Sequence, residues 1–515
     1  MMSKDTMVLP LALSLATVGC ESAPGPIGAD DPPCALTSSC QDEAPPEALC
    51  LEHLAADRFD DGCGIFVNTF FFGGDDANPG TKARPVGSLR RAIALARIGR
   101  GRVFVCSDVF EESVILPSGV DLYGGLHCQT FERFKESVTT GITIRERPSP
   151  IVLTVEPAGA GDTGAADGVS TIDHVDISGG THIGMLVRSG SVVEFTRGAI
   201  HGSYGVGGGH GERWPGLNQA PDGRHGIYGG DACSAATVAG GPAVVNPCED
   251  GLPSVGGKGG DGRADGAGDG EAGEPVPAPN PGHEGQGGLG NREDGGCASG
   301  FSGKSGTWGA AGAAGKGIGR LTETGWEGDK AAEGGRGMPG QGGGGGGGRR
   351  GGLAVCDVAS KGGAAGGSGG AGGCGGRGGQ PGGNGRPSIA IAVLHAKLTV
   401  RDSLLTTDNA GGGGDGGPPE RGGDGGRGAP GGAVGDGTWS CGGGEGGRGG
   451  DGGYGGPGRG GDSIGIAYLD EDQLTLEGVR YELGPPGKGG VSWDWSGEEF
   501  AGEDGIKVET LRFSE

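Results

Sequence analysis

The sequence predicts an all-β chain: a parallel stack of short strands, or β-helix, closed at its start by one amphipathic α-helix and broken by long glycine-rich insertions. Three observations carry that expectation. Glycine supplies 130 of the 515 residues and proline 31, a share typical of low-complexity sequence, yet the glycine is concentrated in two stretches and the remainder reads as globular. Outside those stretches Val, Ile and Leu form short runs bounded by Gly, Pro, Asn and Asp, which punctuate strands. One strand–turn–strand unit also recurs three times with the same internal spacing.

At the N-terminus, Met7 to Val18 form an apolar run of 12 residues preceded by Lys4. That length suits a secretory signal and is too short to span a bilayer. Val18-Gly19-Cys20 resembles a bacterial lipoprotein signal, although Thr17 stands where that family prefers Leu. The resemblance implies that residues 1–19 are removed, that Cys20 carries the lipid, and that the chain meets its membrane through that lipid. Glu21 rather than Asp after the cysteine fits sorting to the outer membrane. Residues 20–60, rich in Pro, Asp, Glu and Ser, read as an acidic tether.

The 13 cysteines contain no CxxC pair and no Cys/His cluster at zinc spacing, and without Cys20 their number is even. In an exported chain scattered cysteines are disulfide candidates, here Cys106, Cys128, Cys233, Cys248, Cys374 and Cys441. Cys374 and Cys441 lie in different glycine tracts and are expected to join them.

Residues 61–204 read as the capped start of the stack. The β-rich IFVNTFFF at 65–72 leads into the turn-dense GGDDANPGT. Ser88 then stands as N-cap before LRRAIALARIG, in which Leu89, Ala92, Ile93 and Ala96 fall on one helical face and Gly99 can close the helix. VFVC at 103–106 and SVILPSGVDLYGG at 113–125 follow as short strands. A helix placed before stacked strands covers the open edge of the stack. GDDANPGT, PVGSLRRAIALA and VFVCSDVFEESVILPSGVDLYGG together resemble the N-terminal region of the pectin-lyase-like right-handed parallel β-helix superfamily, over residues 65–128. The resemblance implies the fold and not, by itself, an activity.

The recurring unit pairs Ile183–Val187 with Val193–Phe195, Ile389–Val393 with Leu398–Val400, and Ile464–Tyr468 with Leu474–Leu476. A single such unit cannot bury its apolar face, whereas stacked units share one core. Residues 142–155 and 169–177 are expected to add further coils. The stack therefore resumes at 387–410 and 463–515, between and after glycine-rich insertions at 205–386 and 411–462.

Within the insertions GGX triplets place Ser368, Ala371, Cys374, Arg377 and Gln380 at every third residue, then Arg421, Asp424, Arg427 and Pro430, then Glu445, Arg448, Asp451, Tyr454 and Pro457. Collagen shares the period but needs Pro-rich X–Y pairs, which are missing here. A polyglycine-II-like threefold helix would line the X residues along one edge and leave two glycine edges for close packing. The tracts resemble glycine-rich PGRS-type proteins in composition.

The net charge of −25, with Arg interleaved singly among acids, argues against nucleic acid. The superfamily resemblance implies one alternative, a polysaccharide lyase or hydrolase. Thr171-Ile172-Asp173-His174-Val175-Asp176 resembles the IDH strand of pectate lyases, with Glu194 and Arg401 on later coils as companions. No Trp precedes Ile172 and no RxPxxR element follows. Gly209-His210-Gly211 resembles the GHG of polygalacturonases without its NTD and RIK companions. Outward polar residues alternating with core residues account for these positions more simply. GGDGG at 422–426 lacks the apolar position of RTX calcium repeats, so calcium is a weak expectation and no other cofactor is expected. The expected role is non-catalytic: a surface-displayed, adhesive or structural envelope lipoprotein, with polysaccharide or other envelope components as its partners.

Overall fold

The computed structural model describes residues 45–514 apart from 136–137, 145–150, 160–167, 181, 215–217, 250, 292–295 and 436. The expected leader, Cys20 and the first part of the tether lie outside the described residues.

Three parallel sheets organise the chain, and successive strands move from one sheet to the next. After Ile65–Val67 in sheet A, six rungs each supply one strand to sheets A, B and C in turn. The first three rungs are Arg102–Cys106, Val109–Glu111 and Val114–Pro117; Asp121–Leu126, Thr140–Ile144 and Leu153–Glu156; and Ser170–Asp173, Val175–Gly179 and Ile183–Val187. The next three are Val192–Thr196, Ala199–Gly202 and Ser388–Val393; Lys397–Arg401, Leu404–Thr407 and Ser463–Tyr468; and Leu474–Glu477, Arg480–Glu482 and Lys507–Arg512.

The register stacks like on like. In sheet A, Leu122, Ile172, Phe195 and Val400 form one row, and in sheet B Phe110, Ile142, Ile177, Ile200 and Leu405 form another. These rows meet Met185, Val187, Ile391 and Val393 of sheet C in one interior cluster. The repeated units align as the sequence predicts, with Ile183 beside Ile389 and Ile389 beside Ile464. Sheet C differs from simple alternation. Ser388–Val393 and Ser463–Tyr468 are buried at every residue, because Leu321 and Trp326 of a hairpin in the first insertion cover the outer face. A sheet covered on both faces reads as a continuous apolar run.

Helix α2, Leu89–Arg97, caps the stack as expected. Ser88 accepts from the Arg91 amide, and Leu89, Ala92, Ile93 and Ala96 are buried in the interior cluster with Val67 and Val103. Its N-terminal amides at Leu89 and Arg90 also donate to the Glu112 carboxylate, at 2.7 and 3.2 Å.

The tether expectation is corrected over its last third. Glu47–Ala55 is a helix (α1), and a Cys50–Cys63 disulfide holds it to the start of the stack. Cys50, Phe59 and Cys63 bury the otherwise exposed aromatic row Phe66 and Phe104 on the outer face of sheet A, together with Phe131. Glu47 pairs with the buried Arg102.

All three insertions leave between a sheet B strand and the next sheet C strand, at one corner of the stack. Two match the expected stretches; the third, residues 483–506, was not anticipated within 463–515. A long loop inserted at a corner adds closure entropy only as the logarithm of its length.

The tracts are extended and hydrogen-bonded to several neighbours in rotation. Amides of Gly366, Gly367, Ser368, Gly369, Gly370 and Ala371 donate to the carbonyls of Gly260, Cys441, Ile227, Gly257, Gly444 and Arg224, all at 2.8–3.0 Å. Every third residue therefore addresses the same neighbour. The X residue reports lateral position in this lattice. In the central tract the X edge is enclosed, so Ser368, Ala371 and Cys374 are small and buried. In the peripheral tract Arg421, Asp424, Arg427 and Pro430 are exposed. Gly342 to Gly348, seven glycines in a row, have no X residue and are buried throughout.

All six cysteine candidates are disulfide-bonded, but the expected Cys374–Cys441 link is not formed. The bonds are Cys106–Cys128, Cys233–Cys356, Cys248–Cys374 and Cys297–Cys441. The Gly367 amide donates to the Cys441 carbonyl, so Cys441 lies level with residue 367 on a parallel neighbour. Seven residues at about 3.1 Å rise separate it from Cys374 by roughly 20 Å along the axis, beyond disulfide reach.

Candidate functional site

The expected catalytic group comes together only in part. Asp173 ends a sheet A strand and His174 turns the corner towards sheet B with φ 54°. The same left-handed corner recurs at Arg197 (53°), Asp402 (46°) and Gly478 (63°). Each corner amide bonds the next rung: His174 to Thr196, Arg197 to Arg401 and Asp402 to Glu477. The TIDHVD motif is thus a rung corner.

The Asp173 carboxylate is 1% exposed and receives four donors. Arg133 Nη2 (3.0 Å) and His174 Nδ1 (2.9 Å) lie on Oδ2, while Thr196 Oγ1 (2.8 Å) and Arg197 Nε (2.7 Å) lie on Oδ1. Burial pushes this carboxyl up, but bonds from His174, Arg197 and Thr196 outweigh it and hold it well below the usual carboxylate range. A carboxylate accepts about four hydrogen bonds, so this one is saturated. Glu194 does not join it. Glu194 and Glu477 flank Arg401 on the outer face of sheet A, with Arg401 Nε 2.9 Å from Glu477. His210 of the GHG triplet is exposed and accepts from the Asp415 amide.

Two clefts remain. One, of about 820 Å³, lies between sheet C and the covering hairpin, lined by Ile115, Ile151, Leu186 and Trp326. His182 borders it, its Nε2 buried without a hydrogen bond, and burial pushes the imidazole down to about 4, with Arg386 adding to the shift.

The other is a groove of about 1080 Å³ to which all three insertions contribute. The first supplies Arg213, Asp222 and Trp308, the second Glu420, Arg421, Asp451 and Tyr454, and the third Asp494 and Trp495. Trp308 is 52% exposed and Trp495 69%. Tyr454 stacks obliquely on Trp493, with ring centroids 5.9 Å apart. The turn carrying Trp495 is fixed: Asp494 Oδ1 accepts from the Ser496 amide (2.8 Å), the Ser496 hydroxyl (2.6 Å) and the Glu498 amide (2.9 Å). Nearby Trp214 is structural, donating to the Gly378 carbonyl at 2.7 Å beneath the Arg377 guanidinium.

Sequence reasoning missed this groove. Its residues come from three insertions and span positions 213 to 497, so no local spacing marks it. The available signal was compositional: five of the six tryptophans fall within the three insertions and outside the covering hairpin. Among the described residues no group of three or more His, Cys, Asp or Glu is arranged to hold a metal ion, and no helix is long and apolar enough to cross a membrane. No protein-family model, curated protein or solved structure matches this chain.

Proposed function

We propose that the chain is a non-catalytic, surface-displayed lipoprotein of the bacterial cell envelope, adhesive or structural in role. In this reading the three sheets form a right-handed parallel β-helix. The insertions form a polyglycine-II-like bundle at one of its corners.

The observation that carries the reading is the rotating hydrogen-bond pattern of residues 366–371, which binds one tract to neighbours from all round. Such a lattice gives a stiff body with little apolar core, a form suited to display and load rather than to chemistry. Three disulfides within it and two at the cap fit an oxidising compartment. The saturated Asp173 favours a corner-holding role over that of an acid or base.

The test combines two measurements on the source cell type. Radiolabelled fatty acid should enter the wild type and not Cys20→Ala, and an impermeant amine label should reach the protein on intact cells. Equal lipid labelling of both forms, or a protein shielded inside the cell with free thiols, would refute the proposal.

A further inference from the structure

We propose that the groove shared by the three insertions binds a neutral oligosaccharide chain. The proposal deepens the adhesive reading by naming its ligand class, and rests on that reading for its setting.

Trp308 and Trp495 keep 52% and 69% of their surface in water. Single exposed rings such as Trp439 are ordinary, but two large rings converging on one cleft make the apolar platform of a recognition surface. The face of an aromatic ring carries negative charge, and the axial C–H face of a pyranose offers positive edges to it. The rings are also held ready. The Asp494 turn fixes the backbone that carries Trp495, and Trp493 buttresses Tyr454, which lowers the ordering cost on binding.

The polar lining suits hydroxyl groups. Arg213 and Arg421 have no side-chain partner among the described residues and can donate. Asp222 and Asp451 engage only Oδ1, and Glu420 only Oε2, leaving a second oxygen on each to accept. Such alternation of donors and acceptors matches a polyol.

Charge decides between neutral and acidic chains. Two guanidinium groups face four carboxylates (Asp222, Glu420, Asp451 and Asp494) on a chain of net charge −25, so a uronic-acid polymer is repelled. The site is also an open groove with rings from separate tracts, which fits several consecutive sugars better than one.

The experiment titrates the oxidised chain with cellohexaose, chitohexaose, maltohexaose and hexagalacturonate, following tryptophan emission and heat. At least one neutral hexasaccharide should bind and shift the emission, with hexagalacturonate weaker by tenfold or more. Trp308→Ala and Trp495→Ala should each weaken binding at least tenfold, whereas Trp439→Ala, exposed elsewhere in the second insertion, should bind as wild type. Non-reducing peptide maps matching wild type would establish that the variants are folded. Binding by none of the neutral chains, tighter binding of hexagalacturonate, or binding unchanged in both groove variants would overturn the proposal. None of those results alters the surface-labelling test. Conversely, a buried or unlipidated protein would leave the groove titration intact.

Discussion

Replacing Gly345 by alanine probes the glycine lattice at its most enclosed tract. The Gly345 amide donates to Glu271 at 2.9 Å, and its carbonyl accepts from Gly288 at 2.8 Å. A Cβ at this position would overlap the Lys258 carbonyl oxygen and lie 2.8 Å from the Gly259 nitrogen. Both obstacles are backbone, so no side chain can swing aside. Relief requires the 257–260 segment to move away, which strains the bonds from Gly257 to Gly343, Gly260 to Gly346 and Glu271 to Lys258. At about 0.5–1.5 kcal/mol each, losing these three costs about 2–4 kcal/mol. Alanine also restricts the unfolded chain, which offsets about 0.4–1 kcal/mol. The expected net is a destabilisation of about 1–4 kcal/mol.

Gly209 is the matched control. A Cβ there meets nothing within 4 Å, so only the unfolded-state term remains and alanine should stabilise by about 0.4–1 kcal/mol. Thermal and urea unfolding of the oxidised proteins would show midpoints moving in opposite directions. Midpoints that move together, or a Gly345→Ala protein as stable as wild type, would refute the lattice argument.

Three further outcomes follow from the geometry. Non-reducing peptide mapping should recover Cys248–Cys374 and Cys297–Cys441 and no Cys374–Cys441, and the Cys248→Ser/Cys374→Ser double variant should lose about 4–5 kcal/mol by chain entropy. Asp173→Asn should destabilise the third and fourth rungs by about 1–3 kcal/mol, measured by unfolding, because an amide nitrogen then faces buried donors; Arg133 keeps Asp57 and Arg197 is half-exposed, so neither charge is stranded. His182 is held neutral at about 4 in the folded chain against an ordinary value near 6.5. The unfolded chain therefore binds the extra proton, and stability should fall by up to about 3 kcal/mol as pH drops from about 6.5 to 4. Burial pushes Asp121 up to about 6, which acts in the opposite sense over much of that window. Comparison with His182→Phe isolates the imidazole: the variant should lose this acid-side decline, and an unchanged pH profile would count against it.

Local pattern and stacking were legible in the sequence because their signals are local. Ser88 with Leu89, Ala92, Ile93 and Ala96 marks a capped helix within one short window, and the Ile183, Ile389 and Ile464 units repeat one spacing. What was missed depends on partners distant in the chain. Cys374 could be placed in a tract, but the tract facing it follows from a lattice of several chains. Glu47–Ala55 looked like tether because Pro and acid surround it; its order comes from Cys63 and the aromatic row it covers. The groove needs three insertions at once, and 483–506 is short and has no run of GGX triplets by which to recognise it as one of them.

Residue-resolved amide exchange through 366–386 in the oxidised protein tests the central claim most directly. A lattice bonded in three directions predicts slow exchange at successive amides, including Gly366, Gly367 and Ser368 alike. Protection at alternate residues only, as in a strand with one neighbour, or fast exchange along the whole tract, would contradict it.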